Sequence, residues 1–108
     1  MTRQERATQI WPILVLCASK RQLLTYDELS RLIGVPLPGL GQLLEPIQAY
    51  CLRRKIPALT SIVVRRTDGM PGEGFIAAEN VPLAQAEVFS YDWSQQNCPV
   101  PEDFNVGA

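Results

Sequence analysis

Histidine is absent from this sequence of 108 residues, and its three cysteines, Cys17, Cys51 and Cys98, lie far apart. Histidine is the usual general base near neutral pH and a common metal ligand, so both of these roles are excluded. No two cysteines are close enough in sequence for a thiolate metal site, and we interpret all three as free thiols. The sequence therefore predicts no catalytic residues, no metal site and no cofactor.

Long apolar runs are also missing, since none reaches the roughly 18 residues that a membrane-spanning helix needs. The first residues, Met-Thr-Arg-Gln-Glu-Arg, carry charges of both signs, and no signal-type cleavage pattern follows them. We expect a cytoplasmic protein that does not enter a membrane. With 46% hydrophobic residues the chain has material for one core. We predict a single domain over residues 1–93 and an acidic C-terminal tail over residues 94–108 that is partly docked or flexible.

Basic residues do not occur after Arg66. All ten lysines and arginines lie within residues 1–66, where four acids leave a formal charge of +6, whereas residues 67–108 contain seven acids and have a charge of −7. A basic body can bind an anionic partner, and an acidic segment can tune or compete with that binding. A solvated surface with chance clustering explains the same pattern equally well, because position along the chain does not establish a patch in space.

Residues 25–55 have the pattern of a helix-turn-helix. Thr25 is placed as an N-cap and Glu28, three residues later, can complete a capping box, which predicts a helix start. Gly34 supplies a left-handed stop. The apolar residues predicted to share one face of this first helix are Leu29, Leu32 and Ile33.

The second helix of the motif follows a Pro/Gly turn. It is predicted from apolar residues spaced by three and four: Leu40, Leu43, Leu44, Ile47, Tyr50 and Cys51. Arg53-Arg54-Lys55 suits the negative end of its dipole. Pro46 falls inside the pattern, so we expect either a single bent helix or two helices that break at Glu45.

Further elements are predicted on both sides of this motif. A first helix is expected over residues 2–19, with a kink or a late start near Ile10 because Pro12 lies within it. A last helix is expected over residues 81–89, capped by Asn80. The side chains that it would place against the core are Leu83, Ala86 and Phe89.

Between these helices, residues 61–66 are rich in β-branched side chains and predict a strand. Asp68-Gly69 is a turn signal, and the glycine-rich stretch up to Phe75 would complete a reversal of the chain. A strand and a reversal after a helix-turn-helix indicate a wing. The predicted fold class is α+β, mostly helical: a winged helix-turn-helix with a small β-hairpin wing.

Short motifs occur here in a familiar order: Ile10-Trp11, Leu24-Thr25-Tyr26-Asp27-Glu28-Leu29-Ser30, Gly34, Ile56-Pro57, Ile62-Val63-Val64-Arg65 and Asp68-Gly69. Together they resemble the DNA-binding domain of alkylguanine-DNA alkyltransferases and alkyltransferase-like proteins over roughly residues 10–75. The resemblance implies a winged helix-turn-helix that binds DNA through the minor groove and takes a flipped base into a pocket. It further implies that Tyr26 touches the backbone of the flipped nucleotide and that Arg65 contacts DNA.

Two departures from the family limit what the resemblance implies. Where the alkyltransferases have a nucleophilic cysteine and a histidine after Ile-Pro, this sequence has Ala58-Leu59-Thr60, so alkyl transfer is not expected. The alkyltransferase-like proteins keep an arginine that takes the place of the flipped base. Residues 36–42, at the matching position, contain no basic residue. The resemblance therefore favours a protein that is not an enzyme.

Two functions are compatible with these features. The first is a non-enzymatic nucleic-acid-binding protein that mainly contacts the phosphate backbone of DNA. Its candidate residues are Lys20, Arg21, Tyr26, Gln42, Arg53, Arg54, Lys55, Arg65 and Arg66. Of the residues early in the second helix, only Gln42 has a side chain suited to hydrogen bonding with the edge of a base.

The alternative is a protein-interaction module of the same fold, such as an immunity, inhibitor or phage counter-defence protein. Its candidate contacts are Leu37 and Leu40, at the start of an unusually apolar recognition helix. Both leucines could equally complete the core, Tyr26 could be a half-buried aromatic and Arg65 a solvated charge at a strand end. No small-molecule substrate is evident for either function.

Overall fold

A computed structural model describes residues 1–72 and 74–105. The helices and strands in this part of the chain are α1 (Arg3–Ser19), β1 (Leu24–Thr25), α2 (Tyr26–Ile33), α3 (Leu40–Arg54), β2 (Val63–Val64) and α4 (Val81–Ser90). Single turns of 3-10 helix are found at Leu37–Gly39, Leu59–Ile62, Trp93–Gln95 and Pro101–Phe104. The prediction of a mostly helical α+β fold is confirmed. None of the described helices combines the length and the apolar character that crossing a bilayer requires.

Capping boxes begin both α1 and α2. The Thr25 hydroxyl accepts a hydrogen bond from the Glu28 N–H at 3.1 Å, and the Glu28 carboxylate accepts one from the Thr25 N–H at 3.0 Å. The bond from the Thr25 backbone is the main reason why the pKa of Glu28 lies below its ordinary value. Thr2 and Glu5 make the same pair of bonds at the start of α1. Gly34 ends α2 at φ +70°, so the predicted start and stop of this helix are both confirmed.

Two prolines lie inside helices without dividing them. α1 is continuous from Arg3 to Ser19 through Pro12, so the predicted late start near Ile10 is wrong. α3 runs from Leu40 to Arg54 through Pro46. Of the two predicted alternatives, the single helix is therefore the one that forms. An internal proline costs about 3 kcal/mol, and burial of apolar residues in the same core before and after it offsets that cost.

Two predicted apolar faces are partly wrong. α2 buries Leu29 and Ile33, whereas Leu32 is 61% exposed. α4 buries Ala84 and Val88 instead of Leu83 and Ala86, and only Phe89 of the predicted residues packs on the core. In both helices the buried pair is spaced by four residues. These helices are short and touch the core along a narrow stripe, so the flanking apolar positions face solvent.

The strand predicted over residues 61–66 is only two residues long, and a 3-10 turn takes the place of its first two residues. Leu59–Ile62 forms this turn, and only Val63–Val64 is extended. β2 pairs with β1 in parallel, with Leu24 opposite Val63 and Thr25 opposite Val64. The small sheet therefore joins the start of α2 to the segment that follows α3, and it is not the predicted β-hairpin.

The chain nevertheless reverses at the predicted turn. Gly69 has φ +69°, its N–H donates to the Arg65 carbonyl at 2.9 Å, and the Arg65 N–H donates to the Met70 carbonyl at 2.8 Å. Within the described residues no strand follows before α4. The returning chain is bound by side chains of Tyr26 and Gln48 instead of by β2, which explains why no hairpin forms.

Four aromatic rings form one cluster in the core. Trp11 lies 5.4 Å from Tyr50, 5.9 Å from Trp93 and 6.1 Å from Phe104 between ring centroids. Trp93 donates its indole N–H to the Val88 carbonyl at 2.8 Å, so its polar atom is satisfied inside the core.

The segment predicted as an acidic tail contributes to this cluster. Phe104 is fully buried against Trp11 and Tyr50. The Arg53 guanidinium donates to the backbone carbonyls of Asp103 at 2.7 Å and Asn105 at 3.1 Å. The predicted tail is therefore docked at Pro101–Asn105, and its residues 106–108 lie outside the described part of the chain.

Phe104→Ala is expected to lower the free energy of unfolding by about 3–5 kcal/mol, because a fully buried aromatic ring is lost and a cavity is left. Val100→Ala, in the same segment but 53% exposed, should change it by less than about 0.5 kcal/mol. Urea unfolding followed by tryptophan fluorescence measures both values. Equal effects of the two substitutions would contradict the packing of this segment.

Candidate nucleic-acid interface and adjoining cavity

Tyr26, the first residue of α2, separates two concave surfaces. Its hydroxyl accepts a hydrogen bond from the Gly72 N–H at 3.0 Å. A Cβ atom at Gly72 would lie 2.7 Å from that hydroxyl, so the close approach of the loop requires a glycine there. One concave surface lies towards Arg65 and Arg66 and the other towards α3, and Tyr26 lines both.

The first surface, here called the arginine groove, has a volume of about 320 Å³. It is lined by Tyr26, Asp27, Leu37, Arg65, Arg66 and Thr67. The turn that follows β2 and the N-terminal end of α2 form its walls. The structure therefore brings together three of the predicted nucleic-acid contacts, Tyr26, Arg65 and Arg66.

Carboxylates lie beside both arginines of the groove. Arg65 donates to the Asp68 carboxylate at 2.9 and 3.2 Å, and this bond adds to one from the Met70 N–H in holding the pKa of Asp68 below its ordinary value. Arg66 lies 3.4 Å from the Asp27 carboxylate, and its side chain is 78% exposed. Exposed ion pairs of this kind contribute only about 0–1 kcal/mol, so an incoming phosphate can replace the carboxylate of Asp27.

The second surface, here called the Tyr26 cavity, is a half-open cavity of about 180 Å³ between α3 and the loop that follows the turn. Its lining includes Tyr26, Gly41, Leu44, Gln48, Thr60 and Phe75. The side-chain amide of Gln48 donates to the Gly74 carbonyl at 3.2 Å and accepts from the Ile76 N–H at 2.9 Å. These bonds fix the loop against α3, so that it forms one wall of the cavity.

The Thr60 and Ser61 hydroxyls are buried without a hydrogen-bond partner among residues 1–72 and 74–105, which costs about 1–3 kcal/mol each. Gly41 is the second residue of α3, and alanine is the better helix former. A Cβ atom at Gly41 would meet nothing within 4 Å, so the fold itself does not require a glycine there.

The other predicted basic residues line neither surface. Lys20 and Arg21 follow α1, and Arg53-Arg54-Lys55 ends α3. α3 is 15 residues long, so about 22 Å separates its basic end from the end that carries Gly41. The structure therefore does not gather the predicted basic clusters into a single face beside Tyr26.

Several of these residues have contacts of their own. Arg53 binds the C-terminal segment, and the Arg54 guanidinium lies 5.3 Å from the Tyr50 ring centroid. Arg21 and Lys55 have positive φ angles of 55° and 56° and end their helices in a conformation that favours glycine. Gln42 is exposed near the N-terminal end of α3, and its backbone carbonyl accepts from Arg3 at 3.0 Å.

The two leucines of the alternative prediction have different environments. Leu37 is 48% exposed and lines the arginine groove. Leu40 is fully buried, so its side chain cannot contact a partner, and its assignment as a protein-binding residue is wrong. It lies on the core face of the first turn of α3, where the turn Leu37–Gly39 directs it inward.

Neither of the two cysteines on the predicted helical faces is set up as a nucleophile. Cys51 is buried, and burial raises its pKa to about 11. Burial, followed by the nearby Glu28 carboxylate, also raises the pKa of Cys17. Cys98 is exposed. Within residues 1–72 and 74–105 no group of three or more Cys, Asp and Glu side chains is arranged to hold a metal ion.

Sequence reasoning missed Gln48 and Thr60. Gln48 is one turn after Leu44 on the buried side of α3, and a polar residue at a core position is a signal that its amide binds something. Thr60 carries no comparable signal, because its position depends on the 3-10 turn that takes the place of the first two residues of the predicted strand.

Comparison of the chain with protein-family models, with curated proteins and with solved structures finds no match. The geometry of the arginine groove and the Tyr26 cavity is therefore the basis for a functional proposal.

Cys51 is expected to resist alkylation in the folded protein at about pH 8, because at a pKa of about 11 only about one thousandth of it is thiolate and burial blocks access. Cys98 should react readily. Mass spectrometry after treatment with iodoacetamide identifies the modified residues, and treatment in urea, where all three cysteines react, is the control. Rapid modification of Cys51 in the folded protein would contradict its burial.

Proposed function

We propose that this chain is a non-enzymatic nucleic-acid-binding protein of the winged-helix type. Arg65 and Arg66 contact phosphates of the strand, and the Tyr26 cavity accepts one unstacked base. The observation that carries the proposal is that Tyr26 lines both the arginine groove and the cavity. A backbone bound in the groove is thereby next to a cavity for one of its bases.

Phosphate binding is supported by the exposure of the arginine groove. Among the described residues, Arg66 has a 3.4 Å contact with Asp27, which is weaker than the charge-assisted bonds that a phosphate offers. Arg65 is held by two bonds to Asp68, which restrict its side chain at the edge of the groove. Fixed cations of this kind position a nucleic acid without reading its sequence.

Base binding is supported by the polar groups of the cavity. The Tyr26 hydroxyl accepts from the Gly72 N–H, so its own proton is available for a second partner. Phe75 and Leu44 supply apolar walls for a ring. The family resemblance described above also implies a cavity that takes a flipped base.

The arrangement of elements supports the winged-helix assignment. α2 and α3 are joined by a single 3-10 turn, as in a helix-turn-helix, and the reversal at Gly69 lies where a wing would follow. Extruding a base costs a few kcal/mol and least where the base is already unpaired. We therefore expect preference for single-stranded or mismatched DNA over a fully paired duplex.

Arg66→Gln is expected to weaken DNA binding, because one phosphate contact is lost. A plot of the logarithm of the binding constant against the logarithm of the salt concentration should become less steep by about 1. Arg31→Gln removes the same charge from the exposed end of α2, outside the groove, and should leave the slope unchanged. Fluorescence anisotropy of a labelled single-stranded oligonucleotide at several salt concentrations measures both. No binding at low salt, or equal effects of the two variants, would refute the proposal.

A protein-interaction module is the second candidate function. The observation that favours it is the set of exposed leucines, among which Leu37 in the arginine groove is 48% exposed. Leu52 and Leu83, 52% and 55% exposed, line a separate groove of about 570 Å³ between the end of α3 and the start of α4. Exposed apolar side chains in concave surfaces are common at protein interfaces.

If the arginine groove binds a protein, Leu37→Asp should abolish capture of one specific partner while circular dichroism shows an unchanged fold. Leu32→Asp adds the same charge at an exposed leucine outside the groove, and this variant should still bind that partner. Affinity capture with mass spectrometry compares the two variants with the unmodified protein. A partner lost from both variants, or from neither, would count against this groove.

A further inference from the structure

We infer that a second copy of this chain docks on the groove between the end of α3 and the start of α4, so that the protein forms a symmetric dimer. This groove, here called the dimer groove, has a volume of about 570 Å³. It shares no lining residue with the arginine groove or the Tyr26 cavity. Dimer formation is therefore independent of the proposed function.

Each wall of the dimer groove carries one exposed leucine. Leu52, near the end of α3, is 52% exposed, and Leu83, in the first turn of α4, is 55% exposed. The other lining residues include Ile56, Pro57 and four alanines. Exposed leucines beside a concave and mostly apolar surface are typical of a protein interface.

The two walls also carry charges of opposite sign. Lys55 directly follows α3, three residues after Leu52, whereas Glu79 and Glu87 lie four residues on either side of Leu83. All three charged residues are exposed, and the ion pairs among residues 1–72 and 74–105 involve none of them. The α3 wall therefore offers a leucine and a cation, and the α4 wall offers a leucine and two anions.

The two walls complement each other, and a two-fold axis brings them together. In such a dimer the α3 wall of one copy faces the α4 wall of the other, and the same contact is made twice. Leu52 then packs on Leu83 of the second copy, and Lys55 lies beside an acid of that copy. Because Glu79 and Glu87 flank Leu83, one of them is near Lys55 whichever way α4 crosses α3. The surface thus carries its own complement in apolar side chains and in charge.

The size of the groove indicates a weak dimer. A standard protein interface covers about 800 Å² on each partner, which is about one eighth of the 6304 Å² surface of this chain. It involves about 20–30 residues on each side, whereas 13 residues line the dimer groove. We therefore expect a dissociation constant in the micromolar range.

Sedimentation equilibrium of the full chain between about 5 μM and about 500 μM tests for the dimer, because this range spans micromolar dissociation constants. We expect the average mass to rise from that of one copy towards that of two. Leu52→Asp and Leu83→Asp should each weaken dimerisation at least about tenfold, because each places a carboxylate at the centre of the contact. Leu16→Asp adds the same charge at a leucine of α1 that is 57% exposed and lies outside the groove, so this variant should dimerise normally. Circular dichroism checks that each variant is folded.

An exchange of charges tests which walls meet. Lys55→Glu alone and the double variant Glu79→Lys/Glu87→Lys alone should both dimerise more weakly, because like charges then face each other. An equal mixture of these two variants should dimerise again, since both contacts of the mixed dimer pair opposite charges. Lys20→Glu makes the same exchange directly after α1 and outside the groove, and it should leave dimerisation unchanged.

Each result decides for or against the dimer. The mass of a single copy at every concentration overturns the inference, and so does a dimer that persists in both leucine variants. A mixture of the two charge variants that stays monomeric overturns the pairing of the α3 wall with the α4 wall. None of these results bears on DNA binding by Arg66, which does not line the dimer groove.

Discussion

The hydrogen bond from the Gly72 N–H to the Tyr26 hydroxyl joins two parts of the chain that are 46 residues apart. It holds the loop after the turn against the start of α2, and Gln48 holds the same loop against α3. Within the described residues the loop forms no strand beside β2, which pairs with β1, and these side-chain bonds hold it instead. Both the arginine groove and the Tyr26 cavity depend on this placement, since Tyr26 is part of each wall.

The fold could be predicted from the sequence where it depends on neighbouring residues. The capping box of Thr25 and Glu28, the stop at Gly34 and the reversal at Gly69 are local, and all were predicted correctly. The pairing of β1 with β2 depends on residues about 40 positions apart, and its parallel direction has no local signal. The burial of Phe104 depends in the same way on distant partners, because a charged and proline-rich segment gives no sign of the ring cluster that receives it.

The candidate site was predictable only in part. Tyr26, Arg65 and Arg66 were predicted from the resemblance and from charge, and they do lie together. The remaining basic residues were grouped by charge alone, and chain position could not show that they do not line this groove. The resemblance implied a pocket, but its lining could not be predicted, because its walls come from α2, α3, a 3-10 turn and a loop that meet only in the folded chain.

The formal charge of +6 in residues 1–66 therefore does not produce one basic face. Arg3 pairs with Glu45, Arg66 with Asp27 and Arg65 with Asp68, while Arg53 is bound to backbone carbonyls of the C-terminal segment. Phosphate contacts from two arginines give only modest affinity, and that affinity falls with salt. Under the proposed function, tight binding must then come from the base in the cavity. Tyr26 is the residue through which the two contacts would act together, because it lines the groove beside Arg66 and its hydroxyl has a proton to donate into the cavity.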